Sequence, residues 1–193
     1  YKQISRRDRA HKANRGGVAC YVKEDFNNLV HISDSDKDER SWHCLSLNTE
    51  TILLGNWYRS PSSDHDGFQE LKEEMMRWTC DTTGIMLMVD LIVHDIRWLR
   101  YSIANTTIGN DLKVLCDTYG LLNQVREPTR GAYLLDLFIS DLAGIRTKVG
   151  PSIADHKSVI SKLPMPAILS QPIARLGFRL HRADWDGLRS ALE

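Results

Sequence analysis

Ala132-Tyr133-Leu134-Leu135-Asp136-Leu137-Phe138-Ile139-Ser140-Asp141 is the stretch on which the reading of the fold turns, and a polar run leads from it to Ala154-Asp155-His156. Leucine, phenylalanine and isoleucine around Asp136 make an apolar run of the kind that forms a buried strand, and the acid interrupts it. A carboxylate in such a run needs a partner. Asp155 and His156 lie just before a second strand-like run, Ser158 to Leu163, so a hairpin-like return would bring imidazole and carboxylate together. A carboxylate that fixes an imidazole tautomer beside another acid is a hydrolytic arrangement. The other reading is that Asp136 pairs with a buried arginine or caps a loop, and the stretch alone leaves both open.

Outward from there, composition sets the bounds. The 193 residues suit one domain plus a tail, and 42% hydrophobic content is enough for a packed core. The longest apolar run, Gly84 to Val89, is far too short to span a bilayer. The polar, basic start at Tyr1 reads as the middle of a longer protein. Cys20, Cys44, Cys80 and Cys116 share no paired spacing, which fits core thiols in a reducing compartment and gives no zinc site. Net charge is zero, so the chain as a whole offers no field for a polyanion. Charge is local: Arg6, Arg7, Arg9, His11, Lys12 and Arg15 form a basic opening that reads as a solvated loop, offset by the acidic run Asp34 to Glu39.

In chain order, Val18 to Lys23 predicts a strand after Gly16 and Gly17, and the acidic segment up to Arg40 predicts a surface loop. Trp42 to Leu47 and Thr51 to Tyr58 predict two strands joined by a turn at Asn48 to Glu50. Phe68, Leu71, Met75 and Trp78 recur at helical spacing, predicting an amphipathic helix over Asp66 to Cys80 with Asp64 or Asp66 as its cap. Ile85 to Asp90 predicts a buried strand ending on an acid. Leu112, Leu115 and Tyr119 place a helix from about Gly109 to Tyr119, stopped by Gly120. Leu121 to Val125, Leu134 to Ser140 and Ser158 to Leu163 complete the strands. Helices covering a mixed sheet or sandwich follow from that alternation. Residues 1–163 make the domain. Residues 164–193, with Pro164, Pro166 and Pro172, read as a linker followed by a short amphipathic helix at Asp184, Trp185, Leu188 and Leu192.

Several segments fall into an ordered series. Arg15 to Val22 is followed by Trp57-Tyr58-Arg59-Ser60-Pro61, then Val89-Asp90-Leu91-Ile92-Val93-His94 with Trp98. Glu127-Pro128-Thr129-Arg130 leads to Leu135-Asp136-Leu137, and Asp155-His156 closes the series. In this order the chain resembles the endonuclease/exonuclease/phosphatase family, most closely the apurinic-type endonuclease domain of non-LTR (LINE-like) retrotransposons, over about Gly16 to Leu163. The resemblance implies an α+β fold, the four-layer αββα sandwich of the DNase I-like type, lacking its N-terminal segment. It also implies cleavage of DNA phosphodiester bonds with Mg2+ or Mn2+ at one rim, a downstream reverse transcriptase domain beyond the stretch around Ala183, Asp184 and Trp185, no membrane, and a nuclear location.

Carried across on the matching positions, the resemblance makes Tyr58, Asp90, Asp136, Asp155 and His156 the catalytic set, with Asp90 and Asp155 holding the metal. Charge grows on the phosphoryl oxygens as water attacks a phosphodiester, so such a site needs a cation, a proton acceptor and aimed donors. Asp90 would align and deprotonate water, His156 held by Asp136 would donate to the phosphate, and Tyr58 would stabilise the leaving oxygen. Two departures imply an impaired enzyme. Ile92 stands where the family has an asparagine, and losing one such donor typically costs about 100- to 1,000-fold. The family's first segment, with its metal-binding glutamate, has no counterpart from Tyr1 onward. The competing expectation is an inactive remnant or domesticated module that only binds nucleic acid or protein. His94, Arg126, Arg130 and Trp98 take plain readings as rim, loop and packing residues.

Overall fold

A computed structural model describes residues 1–9, 16–35, 37–61, 67–164 and 190. Its centre is a six-stranded sheet built from β3 (Leu29–Asp34), β4 (Glu39–Leu47), β5 (Glu50–Tyr58), β6 (Gly84–Asp90), β7 (Leu122–Asn123) and β8 (Asp136–Ser140), in the order β3-β4-β5-β6-β8-β7. Only the β5–β6 pairing is parallel, because the helix α1 (Phe68–Trp78) carries the chain back between them. The remaining pairs in this sheet are antiparallel. β5 and β6 are apolar on both faces, as strands covered from both sides must be.

One face of the sheet meets the helices. Trp57 on β5 packs edge-on against Phe68 of α1, with ring centroids 5.2 Å apart. Arg40 on β4 is fully buried, donates to Glu74 of α1 at 2.7 Å, and lies over the Trp57 ring at 4.9 Å. Trp42 Nε1 donates to the same carboxylate at 2.6 Å. Burial alone would push the Glu74 carboxyl up, but the hydrogen bonds from Arg40 and Trp42 outweigh it and hold it below its ordinary value. The second helix, α2 (Thr107–Tyr119), is capped by Thr106, whose Oγ1 accepts the Gly109 N–H, and ends on Gly120 at φ 67.

Two hairpins cover part of the other face: β1 (Lys2–Asp8) with β2 (Gly17–Val22), and β9 (Arg146–Ile153) with β10 (His156–Lys162). Ser5 on β1 meets the buried His43 on β4, Oγ to Nε2 at 2.7 Å. The result is an αβ sandwich, as expected. Among the described residues its helices all lie on one face, and its second sheet is two separate ribbons.

Several local expectations are corrected. The basic opening is a strand as far as Asp8: Arg6 projects outward and pairs with Asp8, while Ser5 turns inward. Of the acidic segment, Asp34 ends β3 while Glu39 and Arg40 open β4, where the tertiary partners Arg9 for Glu39 and Glu74 for Arg40 neutralise charges that read as solvated in sequence. The polar run 146–153 is β9, an edge strand too hydrophilic to announce itself. Position N-cap of α1 is Gly67, at φ 71, with no side-chain cap; Asp64 and Asp66 lie outside the described residues. Cys80 is exposed, not a core thiol, and all four cysteines are free. The linker from Met165 and, apart from Ser190, the helix expected at Asp184 to Leu192 also lie outside the described residues. No helix among the described residues is long and apolar enough to cross a membrane.

Candidate active site

Register builds the site. Tyr58 is the cross-strand partner of Asp90, and Asp90 is the partner of Asp136, so the last residues of β5 and β6 and the first of β8 stand in one row across three strands. Paired residues project to the same face of a sheet. Here that face is the one the hairpins cover, and all three line a cavity of about 680 Å3 bounded by Val18 of β2 and Val159 of β10. His156 opens β10 and reaches down to the row: its Nδ1 lies 2.8 Å from Asp136 Oδ2. A carboxylate has no proton to give, so Nδ1 carries it and Nε2 is left as the working nitrogen. Ligand atoms of Asp90, Asp136 and His156 all fall within 4.8 Å of one another.

Charge is concentrated there at a cost. Burial pushes the Asp90 carboxyl up to about 6, and the Asp136 carboxylate beside it adds to the effect; His156 and Arg130 oppose it. Asp90 is thus the strained member of the row, a carboxylate that gains most from a cation or a shared proton.

Further groups hold the row in place. The fully buried Thr129 accepts the N–H of Leu135 at 3.1 Å and of Asp136 at 3.0 Å, while its carbonyl accepts the Lys157 N–H at 2.7 Å. One residue therefore ties the start of β8 to the residue after His156. On the other flank, the Arg9 guanidinium lies 5.5 Å over the Tyr58 ring, and its Nε donates to Glu39 at 2.5 Å. Glu39 is the β4 partner of Tyr58, and it also accepts the Gly17 N–H at 3.1 Å. Neither Thr129 nor the Arg9–Glu39 pair was assigned a role from sequence. Pro128-Thr129-Arg130 belongs to the ordered series, but a threonine that accepts two backbone N–H groups carries no sequence signal of its own.

The expected residues divide accordingly. Tyr58, Asp90, Asp136 and His156 come together at one rim, although 98 positions separate the first from the last. Asp155, expected as a metal ligand, is not in the cluster: it is exposed and pairs with Arg130 at 2.7 Å. The acid that joins Asp90 and His156 instead is Asp136, because Asp155 occupies the tight turn between β9 and β10 and projects outward. Ile92 is partly exposed beyond the end of β6 and brings no donor. The His94 ring packs edge-on against Tyr133 at 5.7 Å, joining two rim loops. Trp98 packs against the core, with Nε1 donating to the Gly109 carbonyl at 3.3 Å.

Sheet order and the two flanking ribbons make this an αβ sandwich of the DNase I-like fold. Among solved structures, the endonuclease domain of TRAS1, a telomere-specific non-LTR retrotransposon, superposes with a TM-score of 0.57 at 16% identity, over 72% of this chain and 71% of that one. A mannosyl-6-phosphatase of Bacteroides thetaiotaomicron is matched with a TM-score of 0.45 at 10% identity, over 64% of this chain and 55% of that one. No family model and no curated protein matches the chain.

Proposed function

We propose that this chain is a retrotransposon-type endonuclease domain that hydrolyses DNA phosphodiester bonds with a divalent metal. The observation that carries the reading is the row Tyr58, Asp90, Asp136 with His156 lowered onto it. The fold likeness to a retrotransposon endonuclease domain supports it.

Two carboxylates and an imidazole converging within 4.8 Å fit a hard divalent cation, and Mg2+ characteristically takes one or two protein carboxylates and fills its other positions with water and phosphate oxygens. Asp90 and Asp136 supply those oxygens, and Asp155 becomes a ligand only by leaving Arg130. When bound, the cation polarises the phosphoryl group and lowers the pKa of a water. The protein groups do the rest. Asp136 fixes the His156 tautomer, so that Nε2 can take a proton from water or, once protonated, give one to a phosphoryl oxygen. Asp90, ionised beside such a cation, would orient the attacking water by accepting its hydrogen bond. The Tyr58 hydroxyl, at the end of the row, would donate to the departing oxygen.

Nicking of supercoiled plasmid tests the reading. With Mg2+ the wild-type chain nicks, EDTA abolishes the reaction, and His156→Ala and Asp136→Asn each lower the rate by about 100-fold or more. Nicking retained by both variants discredits the site. The second reading, a module that binds nucleic acid without cutting it, is favoured by Ile92, which offers no donor beside Asp90. Salt-dependent duplex binding without Mg2+-dependent nicking would establish it.

A further inference from the structure

Strand register carries the row of Tyr58, Asp90 and Asp136 one strand further. Glu39 opens β4 opposite Tyr58, so a third acid stands on the same line across four strands. Among the described residues Glu39 takes no part in the cluster at Asp90, because its carboxylate is already engaged. Oε1 accepts Arg9 Nε at 2.5 Å and Oε2 accepts the Gly17 N–H at 3.1 Å. The Arg9 and Glu39 side chains are only 19% and 11% exposed, unlike the solvated ion pairs that fix nothing.

To reach Glu39 the Arg9 guanidinium passes over the Tyr58 ring, with Cζ 5.5 Å from its centroid. Glu39 holds that guanidinium above its ordinary value against the opposing pull of burial, and Tyr58 contributes in the same sense. Two glycines are fitted to it. Gly16 and Gly17 hold φ 78 and 117, which favour glycine, and a Cβ on Gly16 would lie 2.6 Å from Arg9 Nη2. Gly17 also lines the site cavity. The glycine pair read from sequence as punctuation is thus what lets the β1–β2 connection close over a guanidinium at the phenol.

We propose that Arg9, clamped by Glu39, is a positioning residue for Tyr58, holding the phenol so that its O–H points at the departing oxygen of the phosphodiester. This rests on reading the Asp90–His156 rim as a phosphodiester site, and deepens it by assigning the group that aims one of its donors. A guanidinium has donors and no acceptor, so beside a phenol it meets the ring face or the oxygen lone pairs and leaves the single O–H free for another acceptor. A donor held in one direction before the substrate arrives loses less freedom in the transition state. Direct grip of a phosphate is the weaker fit, since Arg9 Nε is already committed to Glu39.

A double-mutant cycle on Mg2+-dependent cleavage of a short fluorescein-labelled duplex tests this, with Tm recorded for each variant. Arg9→Ala lowers kcat about tenfold and leaves KM within about twofold of wild type; in the Tyr58→Phe background the same substitution changes kcat by less than about twofold. Arg9→Lys keeps a cation for Glu39, and with it the Tm, but lacks the planar fork and shows the same dependence on Tyr58 at smaller amplitude. Arg6→Ala, which removes a cation from the exposed side of β1, leaves kcat unchanged. An equal loss with and without the Tyr58 hydroxyl overturns the proposal and makes the Arg9–Glu39 pair a staple for the hairpin. A raised KM with unchanged kcat and a shallower salt dependence overturns it in favour of a phosphate contact. Both of those outcomes leave the phosphodiester reading intact, whereas absence of Mg2+-dependent cleavage by the wild-type chain overturns reading and proposal together.

Discussion

Asp90 shows most directly how position creates chemistry. Alone, an aspartate at the end of an apolar strand is a solvated terminus; beside Asp136 and under β10 its carboxyl is pushed up to about 6. Crowding of this kind predicts cation binding. Adding Mg2+ to the metal-free chain raises Tm by mass action, and Asp90→Asn or Asp136→Asn removes that increment. Differential scanning calorimetry with and without EDTA reads it. Asp155→Ala, by contrast, leaves the Mg2+ increment largely in place, because Arg130 already holds that carboxylate outside the cluster. Equal loss in the Asp155 and Asp136 variants would show that Asp155 joins the metal site.

Among elements, α1 is held to the sheet by its apolar stripe, Phe68, Leu71 and Met75, and its position is fixed by a buried ion pair. Asp38 stays 3.2 Å from Arg40 in Glu74→Gln, so what is lost is a charge-assisted hydrogen bond, about 1.5–3 kcal/mol in urea unfolding. Glu74→Gln also strands the Trp42 N–H on a weaker acceptor. The loop–α2 junction is tight in another way. A Cβ on Gly109 would lie 2.3 Å from the His94 carbonyl oxygen, so Gly109→Ala forces the helix away from the strand-end loop and lowers Tm. Thr106→Ala loses the cap, about 1 kcal/mol, and the bonds that Oγ1 makes to the His94 backbone. Helix spacing, the Gly120 stop and the central strands were legible because each is a local pattern. β8 starts at Asp136 and not at Leu134, because Leu134 and Leu135 are buried by the loop that Thr129 organises and not by a ladder. β1 and β9 were not legible, since edge strands with charged outer faces show no apolar alternation.

For the molecule as a whole, two buried groups set opposing pH slopes. Burial lowers His43 to about 4 from 6.5, so the unfolded chain binds the extra proton between those values and stability falls as pH falls through that window. Asp90 works the other way: raised to about 6 from 3.8, its folded form holds the extra proton, and stability rises as pH falls from 6 towards 4. The two nearly offset each other between pH 4 and 6, and each single variant unmasks the other slope. His43→Gln, which keeps an acceptor for Ser5, gives a chain that gains stability on acidification; Asp90→Asn gives one that loses it. Urea midpoints at pH 4, 5 and 6.5 measure both, and parallel curves for the two variants would refute the assignment.

By itself the sequence determined helices packed on a mixed sheet or sandwich and the pairing of Asp136 with His156, because apolar period, glycine stops and an acid inside an apolar strand are read locally, while Tyr58 and Asp90 followed from the resemblance. Which acid joins Asp90 and His156 was decided only by tertiary structure. Asp136 does so and Asp155 does not, since strand register sets one carboxylate in the row and a hairpin turn directs the other to Arg130. Register and turn direction are sums over many weak contacts between distant segments, and no single position carries them.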